Sequence, residues 1–165
     1  MFDNEDDFDN EEYDKERERI DNLPIMLKAK EIFELVQSII ATIEEKKGDE
    51  ENEILNSIKG LLLEDSMILR AKIAGAEGGG LYEIRMANAA EIRRAGMNLA
   101  SHTFGMELYG YQFEEYTNLL RNEIEEFRQL FLEWINTFDS THRGIDRWGL
   151  FNPPGVDPNE EDDLF

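Results

Sequence analysis

Cysteine is absent from the 165 residues, which excludes a disulfide framework, thiolate metal ligands and thiol redox chemistry. A reducing, cytoplasmic setting is expected. Histidine is scarce, with only His102 and His142. A di-metal site in a helical bundle draws on two Glu-x-x-His pairs and two further inward glutamates. The residues three before the histidines are Leu99 and Asp139, so the carboxylate spacing occurs once, at Asp139 and His142. No metal and no cofactor is expected, and both histidines read as surface residues. Long apolar runs are missing: nothing approaches the roughly 20 residues needed to cross a bilayer, and the first residues are acidic instead of a positive lead into an apolar stretch. Neither a signal peptide nor a membrane span is expected. Alternating Val/Ile/Thr runs between hairpin turns are lacking too, so no strand is predicted.

Catalytic patterns are equally thin. A nucleophile needs a neighbouring base and a third, orienting group. Ser101, His102 and Thr103 are adjacent in sequence, but adjacent helix residues point in different directions. The pairs Glu114-Glu115 and Glu125-Glu126 fall on the polar side of an amphipathic helix. No catalytic residue is predicted, and the chain reads as a non-enzyme.

Basic residues are few: 17 Lys and Arg stand against 38 Asp and Glu, a net charge of −21. Residues 1–22 hold 11 acids and 3 bases, and residues 140–165 hold 6 and 2. Such a field repels nucleic acid and anionic membranes and favours basic protein surfaces.

What remains is helical periodicity. Residues 1–20 carry too little apolar surface to offset the entropy of ordering and read as a disordered acidic tail, with 14–19 a frayed lead-in. Order is predicted to begin at Asp21-Asn22-Leu23-Pro24, a helix-start signal. The first helix is expected to run to about residue 47, with Ile25, Ala29, Ile32, Phe33, Val36, Ile39, Ile40 and Ile43 on one face, before Gly48. The second opens at Asp49 and carries Ile54, Leu55, Ile58, Leu61, Leu62, Ile68, Leu69 and Ile73, fraying near Glu77 ahead of Gly78-Gly79-Gly80. The third, about 81–104, shows a small-residue face of Ala87, Ala90, Ala95, Gly96 and Ala100 that predicts a tight helix contact. The fourth, about 111–138, carries an aromatic stripe including Phe113, Phe127, Phe131, Trp134 and Phe138, read as core. Four such helices on short turns predict an all-α, antiparallel up-down-up-down four-helix bundle over residues 21–140.

Two features suggest binding. Arg70, Lys72, Arg85, Arg93 and Arg94 make residues 66–106 the one long stretch with net positive charge. Pairing with the protein's own acids is the first expectation for them, an oligomer contact the second and RNA the third. Within this stretch, Arg70-Ala71, Ile73, Ala76-Glu77-Gly78 and an Ala-rich helix with Ile92 and Arg93 resemble the small four-helix bundles encoded in intervening sequences of bacterial 23S rRNA genes. In that family an Arg-Ala pair and an Ala-Glu-Gly turn sit at the second helix junction, with a longer spacing than here. The resemblance covers about residues 61–99. It implies a bacterial, oligomeric bundle that contacts RNA or the ribosome.

The second feature is the C-terminal segment. Ile145, Trp148, Leu150 and Phe151, in a partly packed extension over 141–151, are too apolar for a free tail and are expected to fold back on the bundle or on a neighbouring subunit. Residues 152–165 read as an extended, Pro-rich acidic linker. Its tip, Asp162-Asp163-Leu164-Phe165, is similar to the C-terminal tails of bacterial single-stranded-DNA-binding proteins, without their OB-fold body. Such a tip suits an apolar pocket with a basic rim. The sequence therefore predicts a homo-oligomeric interaction or scaffold protein that offers acidic tails to basic protein partners. The alternative is an RNA- or ribosome-associated bundle acting through the Arg70 to Arg94 patch.

Overall fold

The computed structural model describes residues 5–43 and 50–161, with side chains from residue 10 onward. All regular structure among the described residues is helical: α1 (Glu5–Asp21), α2 (Pro24–Thr42), α3 (Glu50–Gly79), α4 (Tyr82–Leu108) and α5 (Glu114–Ile135). That is five helices where the sequence predicts four. The extra one is α1, over residues read as a disordered tail. It buries little apolar surface. Ion pairs one helical turn apart, Lys15 to Glu11 and Arg19 to Glu16, support it, and Ile20 rests on the core. The Asp21-Asn22 signal closes α1 instead of opening α2, because the Asn22 side chain donates to the Glu18 carbonyl at 2.8 Å. Leu23 takes the cap position of α2 and Pro24 its first turn, where no N–H is missed.

Helix α2 stops at Thr42, earlier than periodicity predicts. The Thr42 hydroxyl turns back onto the Ile39 carbonyl at 2.6 Å, and Ile43 leaves in an extended conformation while staying buried. The expected helix end at residues 46–48 lies outside the described residues. Helix α3 runs through Gly78 and Gly79, so the tri-glycine breaks the chain only at Gly80, whose φ of 70° is the left-handed position that follows helix ends. A Cβ on Gly79 would lie 2.8 Å from Ile84 Cγ2, so the close turn into α4 needs a glycine there. Helix α4 likewise runs past Gly105, and the predicted break falls at Gly110, with φ of 86°.

Two long helices joined by Gly80-Leu81 must run back along each other, and α3 and α4 are the most extensively packed pair. Helix α2 lies against α3 and α5, and α5 also lies against α4, so α2 to α5 enclose one core. Ile32, Val36, Ile39, Leu62, Leu69, Ile73, Ile92, Leu99 and Leu120 are fully buried there. Of the predicted aromatic stripe, Phe127, Trp134 and Phe138 are buried, while Phe113, at the cap position before α5, is exposed. Lys28 fastens α2 to α5 through Glu123 (2.7 Å) and Glu126 (2.8 Å). Burial works against its charge, but the hydrogen bonds that it donates to Glu123, Glu126 and Glu31 outweigh that and raise its pKa.

Candidate functional site

Glu77 is predicted to sit at a fraying helix end, yet its side chain is only 6% exposed. It accepts hydrogen bonds from Arg85 Nη2 (2.6 Å), Arg19 Nη2 (2.8 Å) and Trp134 Nε1 (2.8 Å). One carboxylate thus ties α1, α3, α4 and α5 together. Arg85 also lies 4.1 Å over the Phe138 ring, and Phe138 meets Trp134 edge-on at 4.8 Å. These bonds are directed inward and are structural. A second buried carboxylate, Asp65, accepts from Asn98 Nδ2 at 3.3 Å and lies 3.3 Å from His102 Nε2. His102 is therefore half-buried and paired, not the surface histidine expected. His142 is exposed and its carbonyl accepts from Tyr82 N. Among the described residues no three His, Asp or Glu side chains gather as a metal would require.

Of the five predicted basic residues, three are engaged within the chain. Arg85 is committed to Glu77, Arg70 lies 5.2 Å over the Phe33 ring, and Arg94 pairs with Glu91 at 2.8 Å. That pair holds the Glu91 carboxyl below its ordinary value, through the Arg94 hydrogen bond first. Arg93 is exposed and has no partner among the described residues.

Beyond α5 the chain folds back on the start of α4. Tyr82 N donates to the His142 carbonyl at 2.9 Å, and Gly144 N reaches both Glu83 carboxylate oxygens at 3.1 Å. A clamped loop follows. The Asp146 carboxylate accepts from the backbone N–H groups of Phe151 (2.8 Å), Leu150 (2.9 Å) and Trp148 (3.0 Å). Asp146 and Asn152 also exchange two bonds of 2.8 Å. The Phe151 N–H, opposed by desolvation and helped by those of Trp148 and Leu150, holds the Asp146 carboxyl below its ordinary 3.8. Gly149, with φ of 70°, completes the turn against Pro158.

This clamp divides the four apolar residues of the extension. Ile145 and Phe151 are half-buried as expected, whereas Trp148 is 96% exposed and Leu150 is 73% exposed. Residues 152–161 run through turns instead of the extended path predicted, because Asp157 accepts from Asn159 N and Val156 N reaches the Pro153 carbonyl. Asp157, Glu160 and Glu161 are exposed. The predicted tip, Asp162 to Phe165, lies outside the described residues.

Sequence reasoning missed a groove of about 520 Å³ between α4 and α5. Gly96 and Ala100, part of the small-residue face expected to make a tight helix contact, line it with the buried Ile92 and Phe127. Ala95 of that set is buried in the core, but the other side of α4 meets the bulky α5 residues Ile124 and Phe131 and is held away. Arg93, Arg121 and Arg128 line it too, with Glu125, which pairs with Arg128 at 2.7 Å. Arg121 bonds Glu107 at 2.7 Å, and this bond, then one from Thr117, lowers the Glu107 pKa against the cost of burial.

No protein-family model, curated protein or solved structure matches the chain.

Proposed function

We propose that the chain is a non-enzymatic interaction protein of the cytoplasm: an up-down-up-down antiparallel four-helix bundle, α2 to α5, braced by α1 and carrying a C-terminal docking arm from residue 146 onward. The arm seats in an apolar, basic-rimmed site on a protein partner. One observation carries the reading: a tryptophan 96% exposed at the tip of a loop whose backbone is fixed by its own side chains. An indole left in water forgoes burial of about 150–250 Å² of surface. Tryptophan is also the residue most enriched among the few that dominate binding energy. Because the Asp146 and Asn152 bonds order the loop beforehand, less entropy is lost on docking. Asp157, Glu160 and Glu161, extended by Asp162 and Asp163, supply the charge that steers toward a basic rim, and Leu164 and Phe165 add apolar contact.

The test is affinity capture compared by mass spectrometry for the wild type, a Trp148→Ala/Leu150→Ala variant and a chain lacking residues 152–165. The arm reading expects basic proteins to disappear from both altered captures. Identical captured sets would sink it. Co-purifying RNA that is lost on Arg93→Glu would put nucleic-acid contact in its place.

A further inference from the structure

We infer that one partner of the docking arm is a second copy of this chain, which receives Trp148 and Leu150 in its groove between α4 and α5. The inference rests on the arm reading above and names an occupant for it. The groove has the chemistry that the arm asks for. Met97 (56% exposed), Phe131 and Leu132 (41% exposed) offer apolar side chains, and Gly96 and Ala100 add small ones that leave room in a groove of about 520 Å³. Phe104 and Leu108, exposed on α4 at 59% and 77%, add apolar surface further along the same helix. Contiguous apolar surface of this kind on an otherwise charged chain marks an interaction site.

Charge selects the occupant. In a chain of net charge −21, the groove is lined by Arg93, Arg121 and Arg128 with Glu125; Arg128 pairs with Glu125 and Arg121 with Glu107, each at 2.7 Å, which leaves Arg93 as the uncommitted positive charge. The described arm beyond Asp146 carries Asp157, Glu160 and Glu161 against Arg147. Arg93 is exposed, has no partner among the described residues and is free to pair with one of these acids. Attraction at the groove opposes the repulsion between two acidic bodies and admits this face in one orientation.

The same molecule cannot fill its own groove while the arm is seated as observed. Trp148 and Leu150 stand at the edge of a shallow recess beside Ile84 and Ala87 at the start of α4, with Trp148 facing solvent. Ile84 and Met97 are roughly 140° apart around a helix of 3.6 residues per turn. Arm and groove are thus different surfaces of one molecule, and the contact is head-to-tail: each copy uses its arm on one neighbour and its groove on another, giving rings or open chains.

The experiment is sedimentation velocity on the full-length chain, up to about 1 mM, the weak end of specific association. Two variants alter exposed residues and so spare the core: Trp148→Ala/Leu150→Ala removes the arm tip, and Met97→Glu blocks the groove. The wild type is expected to grow in mass with concentration beyond a dimer. Each variant alone is expected to lose association at least tenfold. Mixed together, they are expected to form a one-to-one dimer and nothing larger, since one intact arm and one intact groove remain. A monomeric wild type, unchanged association of either variant, or no dimer on mixing would each overturn the inference. The arm reading is judged separately: if the wild type is monomeric but Trp148→Ala/Leu150→Ala still loses captured basic partners, docking stands and only the self-contact falls.

Discussion

Replacing Glu77 with alanine is expected to destabilise the protein more than any exposed charge substitution. The carboxylate is 6% exposed, and its removal strands two groups that the fold keeps from water: Arg85, whose side chain is 16% exposed, and the indole N–H of Trp134. Breaking a buried ion pair by deleting one partner costs about 3–5 kcal/mol, because the remaining charge is left without compensation. Glu77→Gln keeps an acceptor for Trp134 and forfeits the charge, so about 1–3 kcal/mol is expected, the scale of a bond to a charged group. Arg19 is 46% exposed, and Arg19→Ala is expected to cost about 0–1 kcal/mol although it contacts the same carboxylate. The assay is urea unfolding followed by far-ultraviolet circular dichroism, compared at equal m-values. The ordering carries the argument: a Glu77→Ala cost below about 1 kcal/mol, or an Arg19→Ala cost equal to it, would refute the assignment of Glu77 as a buried junction. A coupling below about 0.5 kcal/mol between Glu77→Ala and Arg85→Ala would refute the bond itself.

Two further outcomes follow from backbone and loop chemistry. Gly80→Ala is expected to cost about 1–2 kcal/mol because φ is positive there, whereas Gly78→Ala, helical with open space around its Cβ position, is expected to gain about 0.5–1 kcal/mol. Unfolding midpoints that shift the same way for both would put the end of α3 in the wrong place. The Asp146 pKa is lowered in the folded protein, so the clamp is fully present above its ordinary 3.8 and is lost as pH falls through the lower folded value. Hydrogen exchange is expected to lose protection at Leu150 and Phe151 in that acid window, and at neutral pH in Asp146→Ala, while α3 stays protected; unchanged exchange in the variant would show that Asp146 does not hold the loop.

The helical class and most of the core were legible because apolar residues recur at three and four: Ile32, Val36 and Ile39 on α2, and Ile58, Leu62, Leu69 and Ile73 on α3, are all buried. The charged members of the same rhythm were legible too and were passed over. Asp65 falls between Leu62 and Leu69 on the inward face, and Glu77 follows Ile73 by four, so a partner for each follows from position alone. The partners themselves, Arg19, Arg85 and Trp134 for Glu77, come from three other helices and have no local signature. Helix α1 escaped detection for a related reason: its order comes from ion pairs and from Arg19 reaching Glu77, not from an apolar stripe. The groove was hidden because a small-residue face signals a close approach only when its neighbour presents small side chains as well, and α5 presents Ile124 and Phe131.

Salt separates the two kinds of partner proposed for the arm. A basic protein is drawn to a body of net charge −21 at long range, so its association is expected to weaken steadily as salt rises. Two copies of the chain repel each other over the same range. At roughly 0.01 M salt the screening length is about 30 Å and the repulsion spans the whole molecule; at 0.15 M it is about 8 Å and only groups near the contact interact. Attraction between arm acids and the groove acts at close range, and there it survives better than the long-range repulsion. Self-association is therefore expected to strengthen between about 0.01 and 0.15 M salt, while capture of a basic partner weakens over the same interval. Arg93→Glu is expected to remove self-association at every salt concentration and to leave the basic partner untouched. Self-association that fell monotonically from the lowest salt upward would mean that long-range attraction governs it, and the head-to-tail contact between arm and groove would then be the wrong explanation.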